Sequence, residues 1–234
     1  MNLLQKAVRG ARSLFGANKI RDFGRNNRIS AANSIFTGCR IQFLGNDNEI
    51  AIEPGARFTN LEIHVVGSGN KLSIATGINY QQGWMWIGSD RGRIRVGANT
   101  LITDAALTIT EPDMSIDIGS DCLFSWKIDI RCGDGHPIID DASGRKINPA
   151  RPIEIGDHVW LGADVQILKG VRIGTGSIVG TRSLVTRDVP AHTLAAGAPA
   201  RVLRTGVSWS RENCLDLPLE TLKLNQSSSA SRVS

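Results

Sequence analysis

Residues 155–185 read IGDHVWLGADVQILKGVRIGTGSIVGTRSLV. An aliphatic side chain returns at every sixth position, through Ile155, Leu161, Ile167, Ile173, Val179 and Val185. A second lane, four residues further on, runs Val159, Val165, Val171, Ser177, Ser183 and Val189. The residue after each member of the first lane is small or polar (Gly156, Gly162, Gly174, Gly180, Thr186), with Leu168 the exception. Six is not a helical period, because an α-helix turns 100° per residue and would throw positions six apart off a shared stripe by about 120°. A flat strand alternates every two residues and needs turn chemistry only at its ends. A strict six with a small residue in each unit predicts a parallel β-helix, built of short strand, corner, short strand, corner.

The bulk composition agrees. The chain has 234 residues, 41% of them hydrophobic, enough to bury a substantial core in one or two domains. Aromatic residues make up only 5% and glycines number 25, which suits a solenoid cored by branched aliphatics. The formal net charge of +5 favours acidic ligands, such as phosphate-bearing cofactors or anionic glycans, and is compatible with a membrane surface. There is no zinc finger, aromatic RNA-binding signature or dense Lys/Arg block, so nucleic acid is not the expected partner. The four cysteines (Cys39, Cys122, Cys132, Cys214) form no C-x-x-C pair and read as reduced thiols of a cytoplasmic protein. No apolar stretch reaches the length of a membrane span, and the N-terminus lacks a signal-peptide core.

Outward from the repeat, the chain divides into three parts. Residues 1–24 read as an amphipathic helical segment, with Leu3, Leu4, Ala7, Val8, Ala11, Leu14 and Phe15 at helical spacing among basic residues. Such a helix caps the open end of a solenoid or rests on a bilayer; capping is the favoured reading. Residues 25–205 form the β-helix. In its first half the step of six holds only in short runs: Ile35 with Ile41; Ile52, Phe58 and His64; Val96 with Ile102; Ile118, Phe124 and Ile130. His64 thereby reads as a core or interface histidine. Residues 132–152, CGDGHPIIDDASGRKINPARP, break the pattern altogether, and a loop this long on a regular scaffold is usually functional. Residues 206–234 read as a cover followed by a Ser-rich, disordered tail.

From Gly135 to Arg204 the chain resembles the hexapeptide-repeat O-acetyltransferases. Within that group it is most like the maltose and galactoside acetyltransferases and the polysaccharide (including polysialic acid) O-acetyltransferases. The matching elements are Gly-His-Pro in the loop, Ile-Gly-Asp-His-Val-Trp-Leu-Gly, the hexapeptide units, Val-Thr-Arg-Asp-Val-Pro, and Ala-Gly-Ala-Pro-Ala-Arg-Val-Leu-Arg. The resemblance implies an all-β, left-handed parallel β-helix of triangular section with three hexapeptides per coil. It also implies a homotrimer with active sites between subunits, acetyl-CoA as cosubstrate, and a carbohydrate acceptor.

Acetyl transfer to an alcohol requires loss of the hydroxyl proton, stabilisation of the carbonyl oxygen and a grip on the long cofactor. By resemblance His136 is the general base, since a neutral imidazole is available near pH 7. A carboxylate often holds the other ring nitrogen of such a base. Asp134 or Asp129 offers one, and a solvated loop carboxylate is the plain alternative. Trp160 matches the tryptophan beside the thioester arm, with packing against a neighbouring subunit an equal alternative, and Gly162 and Ala163 match the backbone that presents an N–H to the thioester carbonyl. Thr181, Thr186 and Arg187 match groove residues, Pro199 an adenine-stacking residue, and Arg201 and Arg204 suit the cofactor phosphates. Trp160, Trp126 and Asp134 are expected to line the acceptor side, while Trp84, Trp86 and Trp126 serve either sugar rings or subunit packing. His158 and His192 read as corner surface residues. No two histidines have the spacing of the zinc-binding carbonic anhydrases that share this fold, so no metal is expected. The function expected is O-acetylation of a sugar hydroxyl, in a surface polysaccharide or its precursor. N-acetylation of an amino sugar or small acceptor, and a non-catalytic β-helix scaffold, remain as alternatives.

Overall fold

The computed structural model describes residues 12–13 and 18–212. All regular structure among them is strand, wound as a left-handed β-helix of about eight turns. That hand runs against the usual right-handed crossover between parallel strands. The six-residue lanes behave as read: every member of both lanes from Ile155 to Val189 is buried. Ser177 and Ser183, the two polar members, are satisfied inside by bonds from their hydroxyls to Pro190 O (2.7 Å) and Gly180 O (2.6 Å).

Three faces enclose the core. The first carries Ile35–Thr37, Arg57–Thr59, Leu123–Phe124, Trp160–Leu161, Ile178–Val179 and Thr193–Gly197. The second carries Arg40–Phe43, Leu61–Val65, Ile128–Arg131, Gln166–Ile167 and Leu184–Val185. The long strands Asn79–Ile87 and Leu101–Ile109 turn from the first face onto the second without a break, and so join the two into one sheet. A separate seven-stranded sheet from Arg28–Ser30 to Arg172–Ile173 is the third face. Many corners place Asn, Asp or His in the left-handed region, among them Asn26, Asp47, Asn99, His158 and His192, as that conformation favours.

The coils are of two kinds, and only those below the loop have the three hexapeptides that the resemblance implies. There, partners in the parallel ladder lie 18 residues apart, as in Glu154↔Arg172 and Trp160↔Ile178, shortening to 16 at Ile178↔Leu194. Above the loop the step is 21 to 23, most often 22, as in Arg57↔Asn79, Lys71↔Arg93 and Leu101↔Leu123. The extra residues lengthen the faces, so that Glu49–Ile52, Lys71–Ile74, Arg93–Val96 and Ser115–Ile118 each send two aliphatic side chains inward at alternate positions. His64 therefore points outward, beside Glu62 Oε2 at 3.3 Å, and is not a core histidine.

A buried asparagine ladder binds the longer coils. Asn27 Oδ1 accepts from Asn48 N (3.0 Å) and Asn48 Nδ2 (2.9 Å). Asn48 Oδ1 in turn accepts from Asn70 N (2.9 Å) and Asn70 Nδ2 (3.0 Å), and Asn70 Oδ1 from Gly92 N (2.6 Å). At the other end the parallel coils stop at Thr193–Gly197, and Ala200–Thr205 folds back antiparallel to it. The chain then climbs the edge between the third and first faces, with Val207 N bonded to His192 O (3.0 Å).

Most of the segment read as an N-terminal helix lies outside the described residues, as do Cys214 and the tail read as disordered. The described parts of residues 1–24 include two strands, Arg12–Ser13 and Lys19–Asp22, so the solenoid begins earlier than expected.

Candidate active site

The loop of residues 132–152 leaves the edge where the second face meets the third. Its base is closed by Arg151 N to Cys132 O (2.9 Å) and by Glu111, whose Oε1 accepts from Ala150 N (3.1 Å) and pairs with Lys146 (2.6 Å). Its outer part is a tight hairpin, tied by Ile147 N to Ile138 O and Asp140 N to Arg145 O (both 2.9 Å). His136 precedes that hairpin. Its side chain is exposed, and the imidazole makes no hydrogen bond to any described residue.

Neither carboxylate considered as its partner holds it. Asp129 pairs with Arg131. Asp134 accepts from Asn148 Nδ2 (2.7 Å) and pairs with Lys169 on the next coil. The Lys169 ammonium holds the Asp134 carboxyl below its ordinary pKa, and the Asn148 amide adds to the effect. Asp134 thus serves the anchoring of the loop.

The remaining predicted residues fall on two edges. Trp126, Trp160, Gly162, Ala163 and Thr181 gather at the edge between the first and second faces. A Cβ on Gly162 would come 2.7 Å from Thr181 N in the next coil, so only glycine allows these coils to stack here. Gly162 N is committed to Val179 O (2.8 Å), whereas Ala163 N donates to no described residue. Of the two backbone donors proposed from sequence, Ala163 is the available one. Trp126 and Trp160 are exposed beside it, at 53% and 39%. Pro199, in a turn after the cis Ala198–Pro199 bond, and the exposed Arg201 and Arg204 belong to the terminal hairpin below the first face. Thr186 and Arg187, by contrast, lie on the loop edge with His136. The second-face strand Gln166–Ile167 lies between them, so the two groups occupy separate corners of one protomer. Trp84 (55% exposed) and Trp86 (39%) project from the second face.

Three contributors escaped the sequence reading. Asn148 and Lys169, given no role in that reading, anchor the loop. Trp209, alone in a polar tail, stacks on His158 (4.2 Å between centroids, 7°) and lies 6.2 Å from Trp160. His158 is accordingly more than a surface corner. Its Nδ1 is 2.6 Å from Asp121 Oδ2, its Nε2 is 3.0 Å from Trp209 O, and its carbonyl accepts from Trp209 Nε1 (2.7 Å). Arg211 closes the strap on Asp121 (2.9 Å). Burial pushes the Asp121 carboxyl up, but the bonds from His158 and Arg211 outweigh it and leave its pKa lowered.

Known proteins share this architecture. A family model described as bacterial transferase hexapeptide (six repeats) matches residues 152–187. The polysialic acid O-acetyltransferase of Neisseria meningitidis is 31% identical over 156 residues, covering 66% of this chain and 72% of that protein. The polysialic acid O-acetyltransferase of Escherichia coli O1:K1 / APEC is 33% identical over 125 residues, 53% of this chain but only 40% of that protein's length. The crystal structure of the polysialic-acid-specific acetyltransferase NeuO superposes with a TM-score of 0.77 at 30% identity, over 87% of this chain and 92% of that one. The chain belongs to the hexapeptide-repeat O-acetyltransferases, a family of acyltransferases.

Proposed function

We propose that the protein transfers an acetyl group from acetyl-CoA to a sugar hydroxyl of an anionic surface polysaccharide or its precursor. The observation that carries this reading is the pair of unsatisfied groups on neighbouring edges: the free, exposed imidazole of His136 and the free N–H of Ala163. The relatives named for polysialic acid O-acetylation support a carbohydrate acceptor, and the +5 net charge suits an anionic one.

The residues present fit the cosubstrate. Arg201 and Arg204 are exposed and pair with no carboxylate among the described residues, which leaves their guanidinium groups for phosphates. Trp160 supplies an indole face for the pantetheine arm and keeps water from it. Acetyl-CoA brings an acyl group already activated on sulfur. His136 takes the proton from the acceptor hydroxyl as its oxygen attacks the thioester carbon, and the Ala163 N–H faces the charge that develops on the carbonyl oxygen; the C–S bond would then break and the departing thiolate take that proton back from His136 to leave as the thiol. Because His136 and Ala163 sit on different edges, the reaction takes the loop edge of one protomer against the tryptophan edge of the next. A head-to-tail contact that closes after three subunits satisfies this requirement.

The test is free-thiol release from acetyl-CoA in the presence of mono-, oligo- and polymeric acceptors. Acceptor-dependent release that falls by roughly 10²–10⁴-fold in His136→Ala is the expected result. An unchanged rate in that variant, or release on an amino acceptor alone, overturns the reading.

A further inference from the structure

We infer that Asn148 is a positioning residue for His136, holding the loop backbone on both sides of the histidine through one side-chain amide. The inference rests on the reading of His136 as the base.

The geometry is specific. Asn148 is buried (7% exposed) although it lies within a loop whose other residues between Asp134 and Gly144 are largely exposed. Its Nδ2 donates one hydrogen to Asp134 Oδ2 (2.7 Å) and the other to the carbonyl of His136 itself (2.9 Å). Its Oδ1 accepts from Ile138 N (2.6 Å). The amide orientation is dictated by these partners. Reversed, it would set an NH₂ against the Ile138 N–H and an oxygen against both a carbonyl and a carboxylate. Among the described residues, every hydrogen bond made by residues 133–137 ends on Asn148 or Lys169. Lys169 completes the arrangement from the next coil, with Nζ bonded to the Asp134 carboxylate and to Asn148 O (3.1 Å). The histidine is thereby referenced to the rigid solenoid even though its ring makes no hydrogen bond to any described residue.

The physical consequence concerns geometry. Gly135 precedes His136 with a φ of +79° and stands in open space, so packing does not hold the backbone on that side of the histidine. Without Asn148 the His136 carbonyl and the Ile138 N–H lose their partners together, and the backbone at 135–137 is free to rotate. A displacement of about 1 Å at a base can cost about 10²-fold in turnover.

The experiment is a double-mutant cycle on the full-length protein with Asn148→Ala, His136→Ala and the pair. Asn148→Ala should lower kcat by roughly 10–100-fold and leave KM for acetyl-CoA within about 3-fold, because the tryptophan edge is untouched. In the pair, adding Asn148→Ala to His136→Ala should lower kcat no further, since the amide acts only through the histidine. Asn148→Asp keeps the acceptor for Ile138 N–H but turns a charged oxygen onto the Asp134 carboxylate and the His136 carbonyl, so it should lower kcat at least as far as Asn148→Ala. Asn148→Ser, small and uncharged, carries the cycle if the alanine variant does not fold. Faster amide exchange at Ile138 in Asn148→Ala is a further expected result. Wild-type kcat in Asn148→Ala with an inactive His136→Ala overturns the inference alone. Multiplicative losses in the pair overturn it equally, by assigning Asn148 a separate role. Wild-type turnover in His136→Ala removes both this inference and the reading beneath it.

Discussion

Replacing Asn48 by alanine cuts the asparagine ladder at its middle rung. The substitution removes Asn48 Oδ1, the acceptor for both Asn70 N (2.9 Å) and Asn70 Nδ2 (3.0 Å), in a position where Asn48 and Asn70 are each 1% exposed. Two donors are left without partners and out of reach of water. At about 1–3 kcal/mol for each stranded group the cost is about 2–6 kcal/mol. The Asn27 carbonyl loses a donor but keeps the Asn48 backbone N–H, so it adds little. Asn70→Ala is the internal control, since it strands only Gly92 N and leaves Asn48 Oδ1 with the residue-70 backbone N–H. Its cost is then about 1–3 kcal/mol, half that of Asn48→Ala. Urea unfolding followed by tryptophan fluorescence and circular dichroism reads both as a fall in midpoint at constant slope. Equal costs for the two variants, or a loss below about 0.5 kcal/mol for Asn48→Ala, would refute the counting of stranded donors.

Other consequences are as specific. Ala163→Pro deletes the free N–H while suiting the turn that places Asp164 at φ 57°, since proline is favoured at the position before such a residue. It should reduce kcat by roughly 10²–10³-fold with normal folding by circular dichroism. Trp160→Ala should raise KM for acetyl-CoA more than it lowers kcat in the same steady-state assay. Acid should release the loop. Because the folded pKa of Asp134 is depressed, its pairing with Lys169 is fully present above the ordinary carboxylate value near 3.9 and is lost as pH falls through the lowered one. Exchange at the Ile138 amide should therefore accelerate across that acid window in wild type and show no such step in Lys169→Met.

The share of this that was legible in the sequence follows the physics of each part. The lanes from Ile155 to Val189 are visible because each short face buries one side chain, which makes the core period and the chain period the same. The coils above the loop were hidden because their faces bury two residues each. Ile50, Leu72, Ile94 and Ile116 recur at 22, alongside Ile52, Ile74, Val96 and Ile118, and a search for six sees only fragments of that step. The asparagines 27, 48 and 70 follow nearly the same step and would have exposed it. The core alternative for His64 fails for that reason. At the candidate site, His136 and the tryptophan edge were reachable through motif order. Their separation onto two edges follows from coil geometry and is not written in local spacing. Asn148 and Lys169 were invisible because their partners are set by how the loop closes, as was Trp209, which reaches His158 across 51 residues of chain.

In the proposed reaction one protomer's His136 acts at the Ala163 edge of its neighbour. Co-expression of His136→Ala and Ala163→Pro chains in equal amounts tests it directly, each variant alone being inactive. If the site spans two subunits of a closed ring, a random mixture restores an intact pair at roughly a quarter of the sites, and acceptor-dependent thiol release returns to about that fraction of wild type. Thiol release in the mixture no higher than in either variant alone would place both groups in one chain's own site and rule out a site shared between subunits.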